Sequence, residues 1–162
     1  MMIQTGKYKV VTNSKPKYLL LTLTAIFILT SCIELGYRTE TDARYREHIG
    51  KRFEVQQTVA LSGVRGSNNI IDYVTLSTNY KSGPEIGFNS NVLVGSIIEV
   101  IEVERCMPCL TLELRLVLRF LKPESLEYEH LVLDSFSSGI LSLSGNKDIL
   151  IDSRYLKEVN SD

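Results

Sequence analysis

The chain has 162 residues, with 18 basic and 19 acidic side chains, a formal charge of −1, three cysteines and no tryptophan. No Lys/Arg cluster occurs after residue 17, so the basic face that nucleic acid requires is absent from the reading. The length suits one domain whose core needs no staples to be adequate.

At the N-terminus Lys7, Lys9, Lys15 and Lys17 stand without an acidic residue, followed by the uncharged stretch YLLLTLTAIFILT over residues 18–30. Lysines keep the leading end on the cytoplasmic side while the apolar stretch enters the bilayer. A helical span needs about 20 residues at about 1.5 Å of rise each, so this stretch fits a cleaved signal better than an uncleaved signal anchor. It ends in Leu29-Thr30-Ser31-Cys32.

That order resembles a bacterial lipoprotein signal peptide, with Leu29 to Cys32 as its lipobox. The resemblance implies a diacylglyceryl group on the Cys32 sulfur, cleavage of residues 1–31, and Cys32 as an acylated first residue. Two or three acyl chains on one residue hold a soluble domain on a bilayer, whereas a single chain attaches reversibly. Ile33 occupies the position where this family carries an aspartate for inner-membrane retention. The resemblance therefore implies an outer-membrane anchor with the domain facing the periplasm in a Gram-negative cell, or the outer face of the membrane in a Gram-positive one. Cleavage leaves 14 basic against 19 acidic side chains, a net charge of −5, which disfavours nucleic acid and anionic headgroups as partners.

Residues 33–48 (IELGYRTETDARYREH) are charged and nearly devoid of large aliphatics. They read as a tether from Cys32 to residue 48, with a short helical turn around Asp42 to Glu47. The domain is expected over residues 49–162. It opens in strand language: Phe53, Val55, Val59 and Leu61 alternate with Arg52, Glu54, Gln56 and Thr58. Residues 62–69 (SGVRGSNN) read as a connection, residues 70–77 (IIDYVTLS) as a second strand, and residues 79–91 as a loop.

Residues 92–104 form the most strand-like stretch, and their parity changes midway. Ile98 and Val100 share one face while Ile101 and Val103 share the other, which requires either burial on both faces or a bulge. On plain alternation Glu99 faces away from Glu102 and Glu104, and the three read as solvated charges without partners. Cys106-Met107-Pro108-Cys109 is expected to make the next turn. Leu112, Leu114, Leu116, Leu118 and Phe120 return as a clean alternation, and residues 126–133 and 139–143 read as further short strands. No three-turn helical pattern follows position 50.

The expected fold class is mainly β, a small antiparallel barrel or sandwich. Two segments, Val94-Gly95-Ser96-Ile97-Ile98-Glu99-Val100 and Asp152-Ser153-Arg154-Tyr155-Leu156-Lys157, resemble strands and the closing turn of Src-homology-3-like barrels. The tryptophan-bearing peptide groove of those domains has no counterpart here.

In an oxidising compartment Cys106 and Cys109 are expected to form a structural disulfide. Their CxPC spacing superficially resembles a thioredoxin-type pair, but that chemistry needs a helix N-terminus to stabilise a thiolate. Zinc wants four ligands, and His48 and His130 supply no ligand spacing. No Gly-x-Ser-x-Gly elbow presents Ser135, Ser137, Ser138, Ser142 or Ser144 as a nucleophile, and Gly63 and Gly66 lack the lysine of a phosphate loop. Binding loops are sought at residues 64–69 and 83–87. No catalytic residue, cofactor, metal or small-molecule substrate is indicated. Three readings follow: a non-enzymatic lipoprotein that binds an envelope protein or cell-wall component, an inhibitor or immunity-type lipoprotein with a basic target, and a thiol-disulfide oxidoreductase using Cys106 and Cys109.

Overall fold

A computed structural model describes residues 36–107, 109–122, 128 and 130–160. Cys32 and the whole leader, Pro108 and Leu126 lie outside the described residues. The described chain is mainly β. It runs β1 (Gly36–Thr39), α1 (Ala43–Arg46), β2 (Arg52–Val55), β3 (Val59–Arg65), β4 (Ile71–Ser77), β5 (Ile86–Val92), β6 (Ile97–Met107), β7 (Leu114–Lys122), β8 (Leu131–Asp134), β9 (Leu141–Leu143), β10 (Ile149–Ile151) and β11 (Leu156–Val159).

The main sheet has the order β11-β2-β6-β7-β8-β4-β3-β5, and β9 with β10 makes a separate hairpin. The sheet does not close into a barrel: β11 and β5 remain the two ends of this order, and β1, the ninth strand, pairs with β6 alone. All pairs are antiparallel except β4 with β8, which align Val74 with Leu131 and Thr75 with Val132 in parallel. A parallel pair needs a long crossover, and the segment that builds β5, β6 and β7 supplies it.

The alternation in the sequence translates directly into burial. Phe53, Val55, Val59 and Leu61 are all buried, as are Leu114, Leu116 and Leu118 on β7. They meet Leu76, Leu131, Leu133, Ile140 and Leu156 in one core. Gly63 sits opposite Phe88 on β5, and a Cβ there would fall 2.2 Å from the ring, so no side chain fits without moving it.

Residues 36–48 are not an open spacer. β1 pairs with the far half of β6, Gly36 opposite Met107 through Thr39 opposite Glu104, and Tyr45 of α1 is only 2 % exposed. Asp42 caps α1, its Oδ1 accepting from the Arg44 backbone N–H at 3.0 Å. Elements four residues long are too short to display a hydrophobic period, and their order comes from pairing with β6 and from one buried ring.

Residues 86–91, expected within a loop, belong to β5, which ends at Val92. Their Asn and Ser residues have low strand propensity, but hydrogen bonding to β3 overrides it. Val92 accordingly ends β5, a turn with Gly95 at φ +84° follows, and β6 begins at Ile97. β6 also runs past Cys106 to Met107, so the connection to β7 spans residues 108–113 instead of Cys106 to Cys109.

Candidate binding cleft

The site is built on the sheet face opposite the core, and a bulge in β6 creates it. Val100 pairs with Leu118 but Glu102 pairs with Val117, which leaves Ile101 outside the ladder and 43 % exposed. One extra residue restores Val103 to the core and turns Glu99, Glu102 and Glu104 onto the same outer face. The expectation that Glu99 points away from the other two is corrected by this register shift.

Nor are these glutamates simply solvated. Glu99 is 7 % exposed and takes Arg119 Nε at 2.7 Å and Arg52 Nε at 3.3 Å. Glu104 is 9 % exposed and takes Arg115 Nε at 2.5 Å. Each arginine comes from the neighbouring strand at the directly opposed position, where an antiparallel ladder brings side chains closest. Burial raises the pKa of Glu99, but hydrogen bonds and charge from Arg119 and Arg52 outweigh it and hold the carboxyl below its ordinary value. A depressed carboxyl contributes stability that is full above the unfolded value of about 4.3 and is lost as pH falls through the folded pKa. Glu99→Gln should therefore be less stable than wild type at pH 7, with the gap closing towards pH 3 in urea unfolding. An unchanged gap would show that the two arginines do not stabilise the charge.

Arg115 is the centre of the face. Its guanidinium lies 3.9 Å from the ring centre of Tyr37 and 5.8 Å from that of Tyr73. Its Nη2 is 3.1 Å from His130 Nε2, which acts as acceptor because a guanidinium has only donors. Tyr37 reaches this position because β1 pairs with β6, and Tyr73 because β4 pairs with β8. Burial, assisted by Glu113 for Tyr37 and by Asp134 for Tyr73, raises both phenol pKa values, so both rings keep their protons at neutral pH.

Around this centre is a cleft of about 200 Å³ walled by Tyr37, Tyr73, Glu113, Arg115, Asp134 and Phe136. Tyr73 also borders a second hollow of about 250 Å³ with Phe88, Tyr128 and His130. Phe88 and Tyr128 stack with ring centres 6.3 Å apart. Asp134 is occupied in holding its own turn: its Oδ1 accepts from the Phe136 N–H at 3.1 Å and from the Ser137 hydroxyl at 2.9 Å. Arg115 is neutralised by Glu104, so the cleft offers phenols, carboxylate and aromatic faces to a guest. That chemistry suits a cationic or amphipathic group.

Cys106 and Cys109 are joined as a disulfide, with Cα atoms 5.6 Å apart. Cys106 lies on β6 opposite Tyr37, and the Glu113 carboxylate lies 3.7 Å from Cys109 Sγ. A carboxylate repels a thiolate, the reverse of what a reactive cysteine needs. Among the described residues the cysteines and Glu113 are also the one group able to converge on a metal, and it falls one ligand short of a tetrahedral site. Replacing both cysteines by serine should lower stability by about 2 kcal/mol, the loop-closure value for so small a ring, with binding retained. Retained stability with lost activity on disulfide substrates would point the other way.

The remaining residues singled out in the sequence scatter. His48, whose buried Nδ1 has no hydrogen-bond partner among the described residues, lines a separate hollow with Phe53 and Leu156, and burial lowers its pKa. Ser138 Oγ accepts from the Ile140 and Leu141 N–H groups, at 3.2 and 3.0 Å, which is a structural role. Residues 64–69 supply the end of β3 and its turn, and residues 83–87 the entry to β5; neither lines the cleft. The cleft residues were missed because nothing local marks them. Tyr37, Tyr73, Arg115 and Phe136 come from four separate segments, and only strand order unites them. No family model, no curated protein and no solved structure matches the chain.

Proposed function

We propose that this chain is a lipid-anchored lipoprotein of the bacterial cell envelope and that its β domain is a non-enzymatic binding module using the Tyr37–Tyr73–Arg115 cleft. The order of basic segment, short apolar stretch and Leu-Thr-Ser-Cys carries the anchoring half of this reading. The first strand begins at Gly36, four residues after Cys32, so a lipidated Cys32 leads almost directly into the domain. The cleft supports the binding half: a preorganised aromatic and charged hollow, with its arginine already paired, is built for recognition.

A partner with a basic or amphipathic surface suits the acidic domain, and this includes the target of an inhibitor or immunity-type lipoprotein. A thiol oxidoreductase has less support, because Cys106 stands on a strand and Cys109 beside a carboxylate. Intact mass of the protein from bacterial membranes tests the anchor. The expected species begins at an acylated Cys32; an unmodified Cys32 with residues 1–31 attached would overturn it. Chemical crosslinking in the native envelope tests the cleft. One stoichiometric partner should be captured by wild type and lost with Tyr73→Arg, whereas equal capture by both would remove the cleft from the reading.

A further inference from the structure

Exposed large apolar side chains occur at several places on the domain, and three of them, Met107, Leu110 and Phe136, lie at the end of the sheet where β1 begins. Gly36 pairs with Met107, which is 45 % exposed. The loop that follows carries Leu110 with its side chain wholly in solvent, and the turn after β8 carries Phe136 at 80 % exposure. These loops share one end of the sheet: the Ser135 N–H donates to the Leu114 carbonyl at 2.9 Å, and Phe136 walls the same cleft as Tyr37 and Glu113. Leu110 and Phe136 therefore stand on loops at the same end of the sheet, and among the described residues neither is covered.

Chain length says what covers it. Three residues lie between Cys32 and Gly36, and the four residue steps from one to the other span at most about 14 Å when extended. Acyl chains on Cys32 would therefore hold the bilayer surface within that distance of the Gly36–Met107 end, close enough for neighbouring apolar tips to touch it. We propose that Met107, Leu110 and Phe136 seat in the boundary between headgroups and acyl chains of the bilayer that anchors Cys32, a second contact that fixes how the domain stands on the membrane. This rests on the lipoprotein reading above. The contact is apolar, since a net charge of −5 on the mature chain provides no attraction to anionic lipid. With the rim seated, the cleft opens beside the membrane surface.

The chain contains no tryptophan, so single substitutions create unique reporters. Leu110→Trp, Phe136→Trp and, as control, Ile70→Trp all fall at exposed sites. Ile70 precedes β4, whose start lies beside the beginning of β8, whereas Phe136 follows the end of β8. The processed full-length lipoprotein is reconstituted in vesicles of zwitterionic phospholipid with brominated acyl chains. Fluorescence at positions 110 and 136 should fall at least two-fold relative to unbrominated vesicles, at low and at high salt, and that at position 70 should barely change. Equal, weak quenching at all three positions in protein whose mass shows an acylated Cys32 would overturn the seating while leaving the anchor intact. A mass showing Cys32 unmodified would overturn both.

Discussion

Tyr45→Ala should lower the unfolding free energy of the mature chain by about 3 kcal/mol, the low end of the range for emptying a buried aromatic site. The ring is 2 % exposed and belongs to the core although it comes from a four-residue helix ahead of the first predicted strand. Urea unfolding of the two proteins side by side checks it, read as a shift in midpoint at constant slope. Were residues 33–48 an open spacer, the substitution would move stability by no more than about 0.5 kcal/mol, as exposed sites do. The experiment therefore decides whether the folded domain starts at Gly36 or near Ile49, which also sets how closely an anchor at Cys32 binds it.

Arg115→Ala should cost about 3 kcal/mol, and the larger part of that cost is borne by Glu104. Arg115 and Glu104 side chains are 14 % and 12 % exposed, so removing the guanidinium leaves a nearly dry carboxylate without its partner. The value lies at the low end of the range for broken buried pairs because some solvent reaches both groups. Loss of the contacts with the Tyr37 and Tyr73 rings adds to it. Replacing both partners, with Arg115→Met and Glu104→Leu, should recover most of the loss, because no charge is then stranded. A double variant as unstable as Arg115→Ala would mean that the guanidinium acts through packing and not through Glu104. The cycle also has a bearing on recognition. Tyr37 and Tyr73 converge on Arg115, so a double variant that is stable but no longer binds its partner would place the arginine in the cleft's chemistry as well as in its framework.

The strands on which one face is buried were legible, and the reason is periodicity. Leu114, Leu116 and Leu118 share the core face while Arg115, Val117 and Arg119 share the other, because the pleat sends successive side chains to opposite faces. The bulge was half legible: the change of parity between Val100 and Ile101 admitted two explanations, and only the pairing of Val100 with Leu118 and Glu102 with Val117 chose between them. β1, β5 and β10 carried no such signal. β1 and β10 are too short to show a period, and the Asn-Ser-Asn end of β5 argues against a strand, so hydrogen bonding to neighbours distant in sequence made them strands.

The candidate site lay further from view. A glutamate on a strand reads as solvated until the strand beside it is known to place an arginine directly opposite, and for Glu99 and Glu104 those arginines lie on other strands. By itself, then, the sequence determined the strand-rich character of the domain, the alternating core residues of β2, β3 and β7 and the expectation of a lipidated Cys32, since each rests on composition or on local spacing. Tertiary structure alone decided that the sheet stays open, that residues 36–48 belong to the fold, and that Tyr37, Tyr73, Arg115 and Phe136 meet in one cleft. Strand order sets those outcomes, and strand order is a property of non-local hydrogen bonds that no single segment encodes.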